Sequence, residues 1–281
     1  MEIFTIWMLV CWGFLFSWRT ACGEEASPLV QRHTFALGFG LSHFDNVEPD
    51  ALPSMDDIEK EGPMYSVMGE YTYHNQIMMS AGIEYSVGDQ DYDGYVWNLV
   101  TNTYRPEETD ADGETVECRA LIGYDLVLWK NHVVTPFLGL GYRYWHNDLK
   151  GGPGYAKEVE YWYSPIGIRT HSPLSDKWTW GMSAEYDLFF EGEVDTDIPQ
   201  MPTFHEDSGC GARFSLTLAR RLTEDLVLAF EPYVTYWDVD ESDGEIFLMP
   251  QGSGPAGYSV IPVVEPDNET TTYGLRVRLE F

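Results

Sequence analysis

The chain has 281 residues, with 46 acidic against 16 basic side chains and a formal net charge of −30; a surface of that sign repels phosphate backbones and excludes a nucleic-acid role. Aromatic residues make up 15%, yet past the N-terminus no apolar run approaches the ~18 residues of a membrane helix. This excludes a helical membrane protein but not a chain that crosses with alternating strands, whose hydrophobicity is hidden from window averages.

The first segment, 3–18, is apolar and is followed by the small-residue exit Ala21-Cys22-Gly23. It has the form of a secretory signal cleaved near Gly23, leaving one domain over 24–281, although Met1-Glu2 lacks the usual basic charge. Cys118 and Cys210 remain in that domain. An oxidising compartment would favour a disulfide, but the alternation below puts both on outward positions of strands far apart, so no bond is predicted.

Ten strands follow, each with two-residue periodicity. The first, 33–44, sets Phe35, Leu37, Phe39 and Leu41 against Ala36, Gly38, Gly40 and Ser42. The second, 64–73, leads through a tight link at 74–76 to the third, 77–87, where Met79, Ile83, Tyr85 and Val87 oppose Ser80, Gly82, Glu84 and Ser86. The fourth, 115–126, sets Val116, Cys118, Ala120 and Ile122 against Glu117 and Arg119; the fifth, 133–145, sets Leu138, Leu140 and Tyr142 against Gly139, Gly141 and Arg143. The sixth lies near 158–170, with Arg169 inward. In the seventh, 177–190, Trp180, Ala184, Tyr186 and Leu188 oppose Glu185 and Asp187. The eighth, 209–221, sets Phe214, Leu216 and Leu218 against Arg213; the ninth, 225–237, sets Phe230 and Val234 against Glu231; the last, 271–281, sets Tyr273, Leu275, Leu279 and Phe281 against Arg276 and Arg278.

An even strand number, small residues on one face and aromatic residues toward strand ends fit a closed antiparallel transmembrane β-barrel. Period two alone is equally compatible with a soluble sandwich. The charges of both signs on the glycine-bearing face favour the barrel, because a narrow interior must pair its buried charges. Glu84, Glu117, Arg119, Arg143, Glu185, Arg213, Glu231, Arg276 and Arg278 are predicted to form this lumenal ion network. The connections at 74–76, 127–132, 171–176 and 222–224 are short and belong on the periplasmic side. Those near 45–63, 88–114, 146–157, 191–208 and 238–270 are long and extracellular. These long segments hold about two thirds of the acidic residues and about four of the basic ones, so the negative charge belongs to the outer rim.

The segment Pro136-Phe137-Leu138-Gly139-Leu140-Gly141-Tyr142-Arg143-Tyr144-Trp145, together with Ala184-Glu185-Tyr186-Asp187, Glu231-Pro232-Tyr233-Val234-Thr235-Tyr236-Trp237 and the run from Thr272 to Phe281, resembles the strands of small Gram-negative outer-membrane β-barrel proteins. The resemblance implies residence in the outer membrane among lipid and lipopolysaccharide. It also implies insertion by the barrel-assembly machinery, which reads a terminal aromatic such as Phe281.

Ten strands are also the topology of the omptin proteases, which cleave next to basic residues using a paired aspartate in the second long loop and an Asp-x-His in the fourth. Here Asp89-Gln90-Asp91 occupies a similar place, and the fourth long loop offers His205-Glu206-Asp207 without an Asp-x-His. Asp89, Asp91, His205 and Asp207 are the resulting catalytic candidates, since a water-activating His needs a carboxylate to orient it. If the third strand continues in register, Asp89 and Asp91 share the outward face of Val87, and only a bulge at Gly88 would turn them inward. Asp89, Asp91, Asp93 and Gly94 also match the opening of a calcium loop, but Val100 stands where such a loop needs its bidentate Glu. A weak Ca²⁺ or Mg²⁺ site is the most this supports, and no other cofactor is expected. The function expected is a non-enzymatic structural, binding or narrow-pore barrel with a largely filled lumen, whose acidic loops suit a cationic ligand or peptide. An omptin-like endopeptidase is the alternative.

Overall fold

The computed structural model describes residues 33–49, 57–98, 103–128, 132–150, 154–251 and 257–281; the export signal expected at 1–23 lies outside the described residues. Each alternating segment forms a strand because one parity of its side chains needs an apolar medium and the other a polar interior. The strands are β1 (His33–Glu48), β2 (Ile58–Asn75), β3 (Ile77–Asn98), β4 (Thr103–Tyr124), β5 (Leu126–Val127), β6 (Val133–Leu149), β7 (Ala156–Pro173), β8 (Trp178–Thr196), β9 (Phe204–Glu206), β10 (Gly209–Arg221), β11 (Val227–Val239), β12 (Glu245–Gln251), β13 (Gly257–Val263) and β14 (Asn268–Glu280).

Ten of them form one antiparallel wall in the order β10-β11-β14-β1-β2-β3-β4-β6-β7-β8, and β8 pairs with β10 to close it. At the β1–β14 seam, Phe281 and Phe35 exchange backbone hydrogen bonds of 2.9 and 3.1 Å, so the terminal residue completes the ring. β5 pairs with β6, β9 lies on β8, and β12 and β13 form a separate hairpin.

A belt of exposed apolar side chains surrounds the wall. Phe39, Tyr65, Ile83, Ile122, Leu138, Ile168, Leu216, Val234 and Leu275 all lie on its outer face. On the side away from the short turns the belt gives way to carboxylates on eight of the ten wall strands. Outward positions there become Asp45, Glu61, Asp89, Glu114, Glu160, Glu191, Asp238 and Glu269. Above that line the polarity of the pattern is exchanged. The interior now holds the apolar cluster of Phe44, Met64, Trp145, Val159, Tyr161, Val194, Phe204 and Val239, and the carboxylates face outward.

The long connections near 45–63 and 88–114 are therefore mostly strand rather than loop. The β3–β4 ladder runs unbroken from Ile77↔Tyr124 to Asn98↔Thr103, and 22-residue strands far exceed the ~9–11 residues that cross a bilayer. Two-residue alternation persists through them with inside and outside exchanged, which suits a β-wall rising into water.

β8 reaches the same exchange by another route. Tyr163 pairs with Phe189 and Trp162 with Glu191, leaving Phe190 as an extra residue. This bulge shifts the parity of the strand, so that Glu191, Glu193 and Asp195 face out and Val194 faces in. Cys118 and Cys210 are both free, on outward positions in register with Ile83 and Leu188 respectively.

Candidate functional site in the barrel lumen

Inside the membrane belt, Arg and Glu side chains from eight wall strands meet across the lumen in two groups. Arg276 lies 2.7 Å from Glu84 and 3.3 Å from Glu231. Arg278 lies 3.0 Å from Glu231 and 3.6 Å from Glu70, which also receives Arg169 at 3.3 Å. In the second group Arg213 contacts Glu117 at 2.6 Å, Asp187 at 2.7 Å and Glu185 at 3.3 Å. Arg119 pairs with Glu185 and stands 3.8 Å from Glu117. The structure thus brings together eight of the nine network residues named from sequence and adds Glu70, Arg169 and Asp187. The ninth, Arg143, is buried with its guanidinium 5.8 Å from the Trp237 ring centroid. A cavity of about 260 Å³ runs from the network itself, where Glu84, Glu117, Arg213 and Arg276 line it, to the short-turn mouth at Lys177 and Arg221.

Above the network lies an aromatic layer. Tyr163 meets Trp237 edge-on at 4.9 Å between centroids, and Tyr161 contacts Trp237 at 5.9 Å and Phe189 at 5.4 Å. Two glycines make room for these rings: a Cβ on Gly141 would stand 2.1 Å from the Tyr163 ring, and one on Gly211 would stand 2.9 Å from Trp237. The glycine-rich inner face is therefore what allows the rings to lie across the lumen.

Higher still, beyond the apolar belt, the interior closes on a buried charge cluster. Lys60 donates to Glu48 at 2.8 Å, and Lys157 donates to Glu48 at 2.9 Å and to Glu265. Burial opposes ionisation of Glu48, but the Lys157 and Lys60 ammoniums overcome it and hold its carboxyl at about 2. Burial leads the other way at Glu206, where it combines with the charge of Glu265 to push the carboxyl up to about 8. Asn268 Nδ2 donates to Glu206 Oε1 at 3.4 Å, and Oε2 has no partner.

A carboxyl that keeps its proton to about 8 when folded, against an ordinary 4.5, contributes stability that is full below about 4.5 and lost as pH rises to 8. Glu206→Gln preserves the shape and cannot ionise. It is expected to flatten the decline in unfolding free energy between pH 5 and pH 8 and to exceed the parent by a few kcal/mol at pH 8. Urea titrations at the two pH values measure this; parallel pH profiles for both proteins would contradict it.

The rim residues sit elsewhere. β3 continues past Val87 without a bulge, so Asp89, Asp91 and Asp93 face outward, where Lys150 binds Asp89 at 3.1 Å and Asp112 at 2.5 Å. His205 is exposed on β9, 3.7 Å from Glu193, and Asp207 is exposed beside it. β4, β6, β7 and β8 separate β3 from β9 in the wall. Outward side chains on such separated strands diverge, so Asp89 and Asp91 are not brought together with His205. Asp89, Asp91 and Asp93 lie along an extended strand instead of wrapping a cation. Among the described residues, no group of three or more His, Cys, Asp or Glu is arranged to hold a metal. It is the middle residue of His205-Glu206-Asp207 that enters the interior.

No protein-family model and no curated protein sequence matches the chain. Among solved structures it is similar to the outer membrane protease OmpT from Escherichia coli, with TM-score 0.61 and 10% identity over 89% of this chain and 95% of that one. Two other similar structures are an outer membrane channel from Pseudomonas putida F1, at TM-score 0.41 and 9% identity over 93% and 100%, and the translocator domain of autotransporter NalP from Neisseria meningitidis, at TM-score 0.37 and 10% identity over 89% and 90%. Likeness at this identity is one of fold. The chain has the fold of the outer-membrane β-barrels, closed over ten antiparallel strands.

Proposed function

We propose that the protein is a non-conducting barrel of the Gram-negative outer membrane, whose acidic extracellular wall is a binding platform. The observation that carries this is the closing of the lumen above the Arg–Glu network at two successive levels: the aromatic layer, and the buried cluster of Lys60, Glu48, Lys157 and Glu265. A wide pore needs a continuous aqueous path, and bulky buried side chains occupy both of those levels. The surrounding belt meets lipid and lipopolysaccharide, and the exposed Phe281 is suited to be read by the barrel-assembly machinery. Planar-bilayer recording on the folded protein is expected to give no large, steady openings; such openings would overturn the proposal.

The endopeptidase alternative draws on the fold of OmpT, but it needs Asp89, Asp91 and His205 at one mouth. Their outward placement leads us to expect that a dibasic peptide stays intact with both the parent and a His205→Ala variant. Cleavage by the parent alone would restore the protease.

A further inference from the structure

Among the described residues the β12–β13 hairpin pairs only with itself, and its two faces differ. One turns toward the molecule. Phe247 is buried, Val263 packs on the apolar interior cluster, and Glu265, just past β13, reaches Lys157. The other face is exposed: Ile246 by 61%, Leu248 by 46%, Val260 by 65% and Val264 by 43%. The register sets Ile246 opposite Pro262 and Leu248 opposite Val260, so these side chains form one contiguous patch well outside the lipid belt. Contiguous exposed apolar surface of this kind marks an interaction site.

Charge narrows the choice of occupant. The segment 238–269 carries eight acidic residues and no Lys, Arg or His, and Asp243-Gly244-Glu245 leads directly into Ile246. An anionic lipid surface would be repelled by this rim. A second copy would bring two acidic rims together, and Pro250 and Pro262 remove backbone donors from the two hairpin strands, which hinders edge pairing. A segment that is both apolar and basic meets neither obstacle. Its apolar side chains would cover Ile246, Leu248 and Val260 while its Lys or Arg side chains reach the surrounding carboxylates.

We infer that this hairpin face docks a basic amphipathic peptide segment. The inference rests on the binding role proposed above and names the class of its partner. The whole folded protein, in nanodiscs, is titrated into a fluorescein-labelled amphipathic peptide of leucine and lysine and read by anisotropy. A counterpart with glutamate in place of lysine serves as the control. The lysine peptide is expected to bind and the glutamate peptide not. Ile246→Ser with Val260→Ser, both on exposed positions, is expected to weaken binding at least about tenfold. Asp243→Asn with Glu245→Gln should weaken binding and reduce its salt dependence.

Unchanged affinity in the serine variant would overturn the hairpin as the site while leaving an acidic platform that binds elsewhere. Equal binding of the two peptides, or none of either, overturns the charge argument. A change of oligomeric state or of binding to lipopolysaccharide vesicles in the serine variant would assign the patch to a second copy or to lipid. Each of these outcomes is independent of the bilayer recording, which alone tests whether the barrel conducts.

Discussion

Arg213→Met is expected to lower the unfolding free energy of the barrel by about 3–5 kcal/mol, the usual cost of removing one partner from a buried ion pair. Arg213 is the hub of the second lumenal group, within 2.6 Å of Glu117, 2.7 Å of Asp187 and 3.3 Å of Glu185. Its guanidinium also lies 5.4 Å from the Tyr163 ring centroid and 5.6 Å from that of Trp237. Without it, three carboxylates share a low-dielectric interior with Arg119 as the nearest cation. A flexible ammonium cannot reproduce a planar fork that serves several acceptors, so Arg213→Lys should recover only part of the loss. Arg220, exposed and 5.4 Å from the Trp178 ring, is the matched control, and Arg220→Met should cost less than about 1 kcal/mol. Urea titrations in lipid vesicles, followed by tryptophan fluorescence, would measure all three. An Arg213→Met variant as stable as the Arg220→Met variant would show that the network is not a stabilising element.

The second large effect is expected above the membrane. Lys157 is buried and serves both Glu48 and Glu265. Burial opposes its charge, but the two carboxylates overcome this and hold the ammonium well above its ordinary range. Lys157→Met is expected to cost about 3–5 kcal/mol at pH 8 and clearly less at pH 5. The sign follows from what remains. Glu48 keeps Lys60, but Glu265 loses its partner, and burial already raises its carboxyl above the ordinary value. Without Lys157 it titrates higher still in the folded state, so the variant gains stability as pH falls and loses it as pH rises. Adding Glu265→Gln to Lys157→Met should recover much of the loss, since it removes the orphaned charge. A loss that is equal at both pH values, or that the second substitution does not relieve, would mean that packing and not charge pairing holds the cluster together.

Much of the wall was legible before the structure, for a physical reason that can be pointed to. Phe35, Leu37, Phe39 and Leu41 alternate with Ala36, Gly38, Gly40 and Ser42, and only a strand sends such a series to two different media. The inward parity of Glu84, Glu117, Arg213, Glu231, Arg276 and Arg278 follows from the same count. The strand ends were not legible, because an apolar-out rule breaks down where the outer medium changes from lipid to water. At Val87 the outward series simply continues as Asp89, Asp91 and Asp93, which resembles the start of a loop although the ladder is unbroken. The aromatic layer was missed as well: Tyr161, Tyr163 and Trp237 share a parity with lumenal residues, yet aromatic side chains near strand ends suggest an interfacial girdle. The glycines opposite them, Gly141 and Gly211, were the available signal.

The sequence by itself determined which parity of each strand faces outward and where the short turns fall. Those properties are local, written in a two-residue period and in composition. Which charges meet, which stay apart, and whether the lumen is open were decided only by tertiary structure. Glu48 and Lys60 lie on neighbouring strands, but Lys157 is 109 residues from Glu48 and 108 from Glu265, and its meeting with them depends on closure of the sheet and on the registers within it. One extra residue, Phe190, turns Glu191 and Glu193 outward, whereas the absence of a bulge at Gly88 keeps Asp89 and Asp91 away from the mouth. A single-residue shift reverses every side chain beyond it, and such a shift has no signature in a period-two pattern.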